Sequence, residues 1–341
     1  MTGSRERNAT LDFVRGSLVL VMVAYHGVSV GVGAGLLCGA DAVITALTFV
    51  SHAFVFLAGG MCGWHYAPRW AASPGTVRRR LLVRAGKLLL LVAALNALRV
   101  LLLGADAWAA AREEAGSVLA LVGRVLWTGE GELVSFEILY FIALVLLLFG
   151  LVGRLRAWAW AAAALALLPF SGPGAIPMRL FFGVAGVAAG IALGGTSATR
   201  WLERARPVAL LAPIGIVAVQ AWGRAGLASL GLGLPWQRLL MLFEILLWCG
   251  SAAGIAGLVC GSRPAGWVVS LGRNPLLGYI VQMFFIVAAW TLLARLGIGE
   301  WAGYAAGVAA CAGFLVALVR GLEWARSRAA WVDRCYAAVF E

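Results

Sequence analysis

Long, continuously apolar runs that recur along the whole chain constrain this sequence more than any other feature. Of its 341 residues, 62% are hydrophobic and only 12% are charged, about half the charged share of a soluble domain. A water-soluble globule cannot hide this much apolar surface, whereas a helix of about 20 apolar residues can cross a bilayer. Outer-membrane barrels are excluded because their strands alternate apolar and polar residues. The sequence therefore predicts an all-α, polytopic integral membrane protein.

Hydropathy predicts ten transmembrane helices. Their expected ranges are 13–34, 43–66, 81–103, 133–152, 156–170, 178–195, 207–222, 239–260, 267–294 and 301–320. When successive connections are assigned to alternate sides, most of the 27 Lys and Arg residues fall on the side that holds both termini. The positive-inside rule then places the N- and C-termini on the cytoplasmic side. The expected location is a bacterial-type inner membrane. Because these cations flank the spans, the net charge of +12 does not indicate nucleic-acid binding.

The predicted spans belong to a single transmembrane domain, residues 1–320. Within it, residues 105–130 are too polar to cross the membrane but carry a helical apolar pattern, which predicts an amphipathic lid on the outer face. The tail, residues 321–341, mixes aromatic residues with arginines and predicts a helix at the cytoplasmic interface. Six scattered cysteines without metal-ligand spacing favour neither a disulfide framework nor a metal site.

Ionisable side chains within the spans are the candidates for chemistry, because each is costly in hydrocarbon. Arg15 and His26 lie eleven residues apart on the first helix. This spacing ends about 20° past three full turns, so both side chains share one face, about 16 Å apart along the axis. Arg15 would then lie near the headgroups, where a guanidinium can hold a phosphate, and His26 past the midplane. Each also has a structural alternative, as a snorkelling anchor and a packing residue.

Two further ionisable residues are candidate catalytic groups. His52, on the second predicted span, is expected at a depth similar to that of His26. It either forms a relay with His26 or only braces the helix pair. Glu137, near the outer end of the fourth span, either orients His26, binds a sugar hydroxyl of the acceptor, or pairs with Arg99.

Several motifs resemble the membrane acyltransferase 3 superfamily. The stretch Leu11-Asp12-x-x-Arg15-Gly16, with His26 following, is similar to its first-helix signature. Residues 51–59 (SHAFVFLAG) resemble its FVFLSG-type segment, except that Ala58 replaces the usual Ser. A basic run follows in both. Residues 271–277 (LGRNPLL) resemble a late-helix segment of the glucan succinyltransferase and heparan-glucosaminide acetyltransferase-like branches.

The resemblance implies an acyltransferase. Such proteins move an acetyl or succinyl group from cytoplasmic acyl-CoA to a hydroxyl of an extracytoplasmic glycan or glycolipid, and an amine acceptor is the nearest variant. His26 would be the general base, with a covalent acyl-His as the second possibility. No resident cofactor is implied, because acyl-CoA is a co-substrate. Its nucleotide end is expected among the basic residues Arg15, Arg78, Arg79, Arg80, Arg84, Lys87 and Arg273.

Two other functions compete with this interpretation. A transporter or flippase for an anionic or acylated solute would use the buried His and Arg to bind cargo, without covalent chemistry. A catalytically inactive scaffold on the same fold is the other, and Ala58 is the departure from the motif that favours it. Release of free CoA separates the enzyme from the transporter.

Overall fold

The computed structural model describes residues 8–33, 35–103, 113, 116–117, 136–170, 176–194, 215–216, 219–220, 233–259, 261–298 and 300–340, of which 99–103, 300 and 340 by backbone only. All regular elements within these ranges are helices, which confirms the predicted all-α class. They are α1 (Ala9–Gly33), α2 (Asp41–Leu47), α3 (Phe49–Ala72), α4 (Pro74–Leu103), α5 (Glu137–Val152), α6 (Ala157–Leu167), α7 (Ile176–Leu193), α8 (Leu234–Val259), α9 (Arg263–Arg273), α10 (Pro275–Arg295), α11 (Glu300–Arg328) and α12 (Ala330–Phe340), with a short 3-10 turn, Leu168–Phe170, after α6.

Seven helical segments in the described ranges are long and apolar enough to cross a bilayer, which confirms a polytopic membrane protein. They are α1, α2 with α3, α4, α7, α8, α10 and α11, and they correspond to seven of the ten predicted spans. The shorter apolar helices α5 and α6 correspond to the fourth and fifth predicted spans. The predicted helix at 207–222 and the predicted lid at 105–130 lie largely outside the described residues.

The ninth predicted span, 267–294, is wrong as a single helix. It consists of α9 and α10, separated at Asn274, whose backbone has φ −126° and ψ 49°. Pro275 is the first residue of α10, and a proline ring disfavours the helical conformation of the residue before it. Hydropathy alone missed this break because both sides of it are apolar.

The C-terminal segment is also helical. α11 continues beyond the predicted span to Arg328, and α12 follows after Ala329. Arg326 Nε donates to Asp333 Oδ1 at 2.8 Å, and the Arg326 guanidinium lies 3.9 Å from the ring centre of Tyr336. These contacts fix α12 against the end of α11.

The chain divides into two compact units. The first unit comprises residues 1–51, 199–222 and 243–341, and the second comprises 52–198 and 223–242. In the first unit, α1 packs against α9, α10 and α11. Phe13 of α1 shares a buried cluster with Ala256 of α8 and with Ala265 and Val269 of α9. The N-terminal half of α1 is therefore held on more than one side.

In the second unit, α4 packs on α5, α6 packs on α7, and α5 also contacts α7. The approach of α3 to α7 is very close. A Cβ atom at Gly186 or Gly190 would overlap the backbone carbonyl of Phe56 or Gly60, respectively. Helices in a membrane associate mainly through such close packing of small residues. The repeated glycines of α7 therefore have a packing role.

Candidate active site

The crossing of α1 and α9 brings together two sequence motifs that lie far apart in the chain. Gly16 of α1 faces the carbonyl of Val268, and Gly272 of α9 faces the carbonyl of Asp12. A Cβ atom at either glycine would overlap the opposing backbone. The two helices can come this close only because both positions are glycine. The crossing places the first-helix motif directly against the segment around Arg273.

Asp12 is the acidic centre of this crossing. Its side chain is only 6% exposed. Arg15 Nη1 lies 3.4 Å from its Oδ1, and Arg273 Nε lies 3.9 Å from its Oδ2. Both distances exceed those of a tight charge-assisted hydrogen bond. Two guanidinium groups thus lie beside one buried carboxylate, and guanidinium groups are well suited to bind a phosphate.

His26 lies on the same helix, about 16 Å further along its axis. Its ring centre is 5.3 Å from that of Tyr25 and 6.3 Å from that of Tyr279. Its Nε2 atom is buried and has no hydrogen-bond partner within the described part of the chain. A buried imidazole nitrogen without a protein partner can bind a substrate group or accept a proton from it.

Two hydrogen bonds fix the backbone of α1 around His26. Trp290 Nε1 of α10 donates to the carbonyl of Gly27 at 2.8 Å. Tyr304 of α11 donates its hydroxyl proton to the carbonyl of Ala24 at 3.2 Å. The two donors come from different helices and bond to α1 on either side of the histidine in sequence. The position of the imidazole is therefore determined by α10 and α11 as well as by α1.

A second buried polar side chain of the first unit, Gln282, lies on α10. It is fully buried, and neither amide atom has a hydrogen-bond partner among the described residues. Gln282 follows Tyr279 by three residues, so the two side chains lie on the same side of the helix. Gly278, one residue before Tyr279, packs directly against Val19 of α1. Gln282 therefore offers an unused donor and an unused acceptor near the path between Arg15 and His26 along α1.

The second unit holds the other two predicted catalytic residues. His52 is 5% exposed, and its ring centre lies 4.7 Å from that of Phe182 on α7. Glu137 Oε1 accepts a 2.9 Å ion-pair contact from Arg179 Nη2. The Arg179 guanidinium also lies 4.8 Å from the ring centre of Phe141. Glu137 is therefore ion-paired, and this partner is Arg179; the side chain of Arg99, the partner that the sequence predicts, lies outside the described part of the structure.

The predicted basic run also belongs to the second unit. Its first members lie on exposed positions of α4, whereas Arg84 and Lys87 are partly buried. Arg84 Nη1 donates to the Tyr66 hydroxyl at 2.6 Å, which links α4 to α3. Of the predicted donor-binding residues, the first unit thus contains Arg15 and Arg273, and the second contains Arg78, Arg79, Arg80, Arg84 and Lys87.

Asp12 and Arg179 form the ion pairs of these two clusters, although the sequence did not predict either of them as a site residue. Asp12 was visible only as part of a motif, and its signal was an acidic residue one turn before Arg15 at the start of an apolar span. Arg179 is the second residue of the predicted span 178–195, and a charge at the end of a span carries no signal for a buried ion pair.

The comparison with known families bears on this arrangement. A family model described as heparan-alpha-glucosaminide N-acetyltransferase, catalytic, matches residues 7–176. The match indicates a transferase of an acetyltransferase-like family. It includes Asp12, Arg15, His26, His52 and Glu137, together with the basic run of α4. No curated protein and no solved structure matches the chain.

Proposed function

We propose that this protein is an acyl-CoA-dependent membrane acyltransferase. It moves an acetyl or succinyl group from cytoplasmic acyl-CoA to a hydroxyl of a glycan or glycolipid on the opposite side of the membrane. The observation that carries the proposal is the buried Nε2 of His26, which has no hydrogen-bond partner among the described residues. It lies on the helix whose start carries Asp12 and Arg15, with Arg273 of α9 beside them. The family match over residues 7–176 supports the same class of reaction.

The donor is held at two positions along α1. Its phosphates bind at Arg15 and Arg273, the two guanidinium groups that meet beside Asp12. Its extended phosphopantetheine arm follows α1 for the roughly 16 Å to His26. The arm contains amide groups, and the carboxamide of Gln282 provides one donor and one acceptor for them. The thioester is then delivered beside the imidazole.

The transfer step has His26 as the general base. Its neutral Nε2 takes the proton of the acceptor hydroxyl while the hydroxyl oxygen attacks the thioester carbonyl carbon. The new C–O bond forms, the C–S bond breaks, and the leaving CoA thiolate receives the proton that His26 took, which returns the imidazole to its neutral form. A positioned general base contributes about 10²–10⁴-fold to such a rate. The clamp by Trp290 and Tyr304 holds the imidazole in place during the step.

An amine is the second acceptor class. The printed description of the matching family names an N-acetyltransferase, and the same base can take a proton from an attacking amine. The bond in the product separates the two acceptors, because mild alkali cleaves an ester and leaves an amide intact.

The test uses the full-length protein in nanodiscs with acyl-labelled acetyl-CoA or succinyl-CoA and a membrane or cell-wall extract as the acceptor source. We expect label in the glycan or glycolipid fraction and its loss under mild alkali. Label that resists alkali would identify an amine acceptor. If reconstituted vesicles take up a donor or product without thioester cleavage, the protein is a transporter and the proposal fails.

A further inference from the structure

A polar groove between α9 and α11 lies outside the transfer mechanism described above. Its volume is about 580 Å³, and both of its walls belong to the first unit. The residues that line it are Arg263, Gly266, Trp267, Ser270, Arg320 and Glu323. None of them is among the residues assigned above to the donor phosphates, the phosphopantetheine arm or the transfer step.

The charges in the groove favour an anionic ligand. Arg263 and Arg320 are exposed, and in the described part of the chain neither guanidinium has a hydrogen-bond or ion-pair partner. Glu323 is the acidic residue of the lining, but neutral groups occupy its carboxylate. Its Oε2 accepts from the Ser270 hydroxyl, and its Oε1 accepts from Asn274 Nδ2, both at 3.3 Å. Two free guanidinium forks therefore remain, and this geometry suits phosphate oxygens.

An exposed indole stands beside these charges. Trp267 is 44% exposed on α9. Gly266, which precedes it, has no heavy atom within 4 Å of the position that a Cβ would take, so this wall is open. An indole face can stack on a planar base or lie against an acyl chain. The ligand expected here has a phosphate group next to a planar or apolar part.

Hydrogen bonds hold Glu323, one of the lining residues, in place. Tyr336 of α12 donates its hydroxyl proton to Asn274 Oδ1 at 2.6 Å, and Asn274 in turn holds Glu323. Ser270 lies one turn before Arg273 on α9, so the groove and the Asp12 cluster share this short helix. A ligand in the groove would therefore bind a preformed surface.

We propose that the groove is a binding site for a phosphate ester, with Arg263 and Arg320 as the anion ligands and Trp267 as the surface for the adjoining group. Two sources carry this chemistry. One is the nucleotide end of acyl-CoA, which rests on the proposed function. Coenzyme A carries a ribose 3′-phosphate as well as a diphosphate, so one of these groups would lie in the groove and the other at Arg15 and Arg273. The other is the headgroup of an anionic phospholipid, which does not.

The experiment measures both sources on the full-length protein. CoA binding is measured in nanodiscs made only of phosphatidylcholine, and retention of phosphatidylglycerol over phosphatidylcholine is measured by native mass spectrometry. The test variants are R263Q/R320Q and W267L. The matched controls are R154Q/R156Q, which removes two exposed arginines from a turn of the second unit, and W158L, which removes a tryptophan that is 70% exposed.

We expect R263Q/R320Q to weaken the binding of at least one phosphate-bearing probe by about tenfold or more, since a hydrogen bond to a charged group contributes roughly one power of ten. A nucleotide ligand also loses on the order of tenfold in W267L, through the lost stacking. An effect on phosphatidylglycerol alone identifies a lipid site. If both probes bind R263Q/R320Q as they bind R154Q/R156Q, the proposal is wrong.

The test of the phosphate site and the test of acyl transfer can be distinguished. His26→Ala tests acyl transfer and leaves the groove intact. Arginine-dependent probe binding in a protein that transfers no acyl group would contradict the acyltransferase alone. The phosphate site alone would be contradicted if the protein transfers acyl groups but R263Q/R320Q binds CoA and phosphatidylglycerol as the wild type does.

Discussion

The α1–α9 crossing gives the sharpest structural prediction. In Gly272→Ala, the new Cβ would lie far inside the 3.0 Å that real Cβ contacts keep from the Asp12 carbonyl. Because the overlapping atom belongs to the backbone, the two helices must move apart by on the order of 1 Å or more. We expect the free energy of unfolding to fall by about 3 kcal/mol, which is the upper end of the usual cost of overpacking a core. Arg273 Nε is already 3.9 Å from Asp12 Oδ2, so the same movement breaks this ion pair. We expect lower thermal stability and weaker acyl-CoA binding.

The assays are thermal unfolding in detergent and CoA binding by equilibrium dialysis. Gly313→Ala of α11 is the matched control, because nothing lies within 4 Å of its Cβ position. It should stabilise the protein by about 0.5–1 kcal/mol through helix propensity. The double variant Gly16→Ala/Gly272→Ala should cost less than the sum of the single variants, since one separation relieves both overlaps. If Gly272→Ala behaves like Gly313→Ala, the close crossing is refuted.

Three further predictions concern side chains of the two units. Gln282→Leu removes the amide at similar volume, and we expect the KM for acyl-CoA to rise about tenfold without loss of folded protein; an unchanged KM would remove Gln282 from the donor path. Trp290→Phe deletes the donor to the Gly27 carbonyl, and we expect kcat to fall about fivefold with KM unchanged. A rise in KM alone would contradict this clamp. Glu137→Gln should lower stability in thermal unfolding by about 1–3 kcal/mol, less than for a fully buried pair because Glu137 is 27% exposed. The double change Glu137→Leu/Arg179→Met should recover most of this stability, and a loss of activity that persists with recovered stability would point instead to a catalytic carboxylate.

The parts of the site that one helix carries could be predicted from the sequence. Arg15 and His26 share α1, so helical geometry alone fixes their separation and their common face. The same is true of the all-α class, because long apolar runs have few alternatives in a bilayer.

The contacts between helices could not be predicted in this way. Nothing local to Asp12 indicates that Arg273 lies beside it, because the pairing depends on how Gly16 and Gly272 let two distant helices cross. Hydropathy likewise cannot show which face of α10 is buried, so it gives no reason to select Gln282.

A different cause explains the missed break at Asn274. The signal, a proline directly after it, was present in the sequence. Hydropathy averages over the apolar residues on both sides of Asn274 and is insensitive to backbone geometry. It therefore does not register the proline that ends the helix.

The most direct test of the account is the initial rate of free-thiol release from acetyl-CoA and succinyl-CoA, measured with acceptor extract. It compares the wild type with His26→Ala and with His65→Ala, a matched histidine that bonds to Arg69 at the far end of α3. We expect His26→Ala to lower the rate of thiol release by about 10²–10⁴-fold at unchanged thermal stability. His65→Ala should release thiol at the wild-type rate. Thiol release by His26→Ala at the wild-type rate would contradict the assignment of His26 as the base.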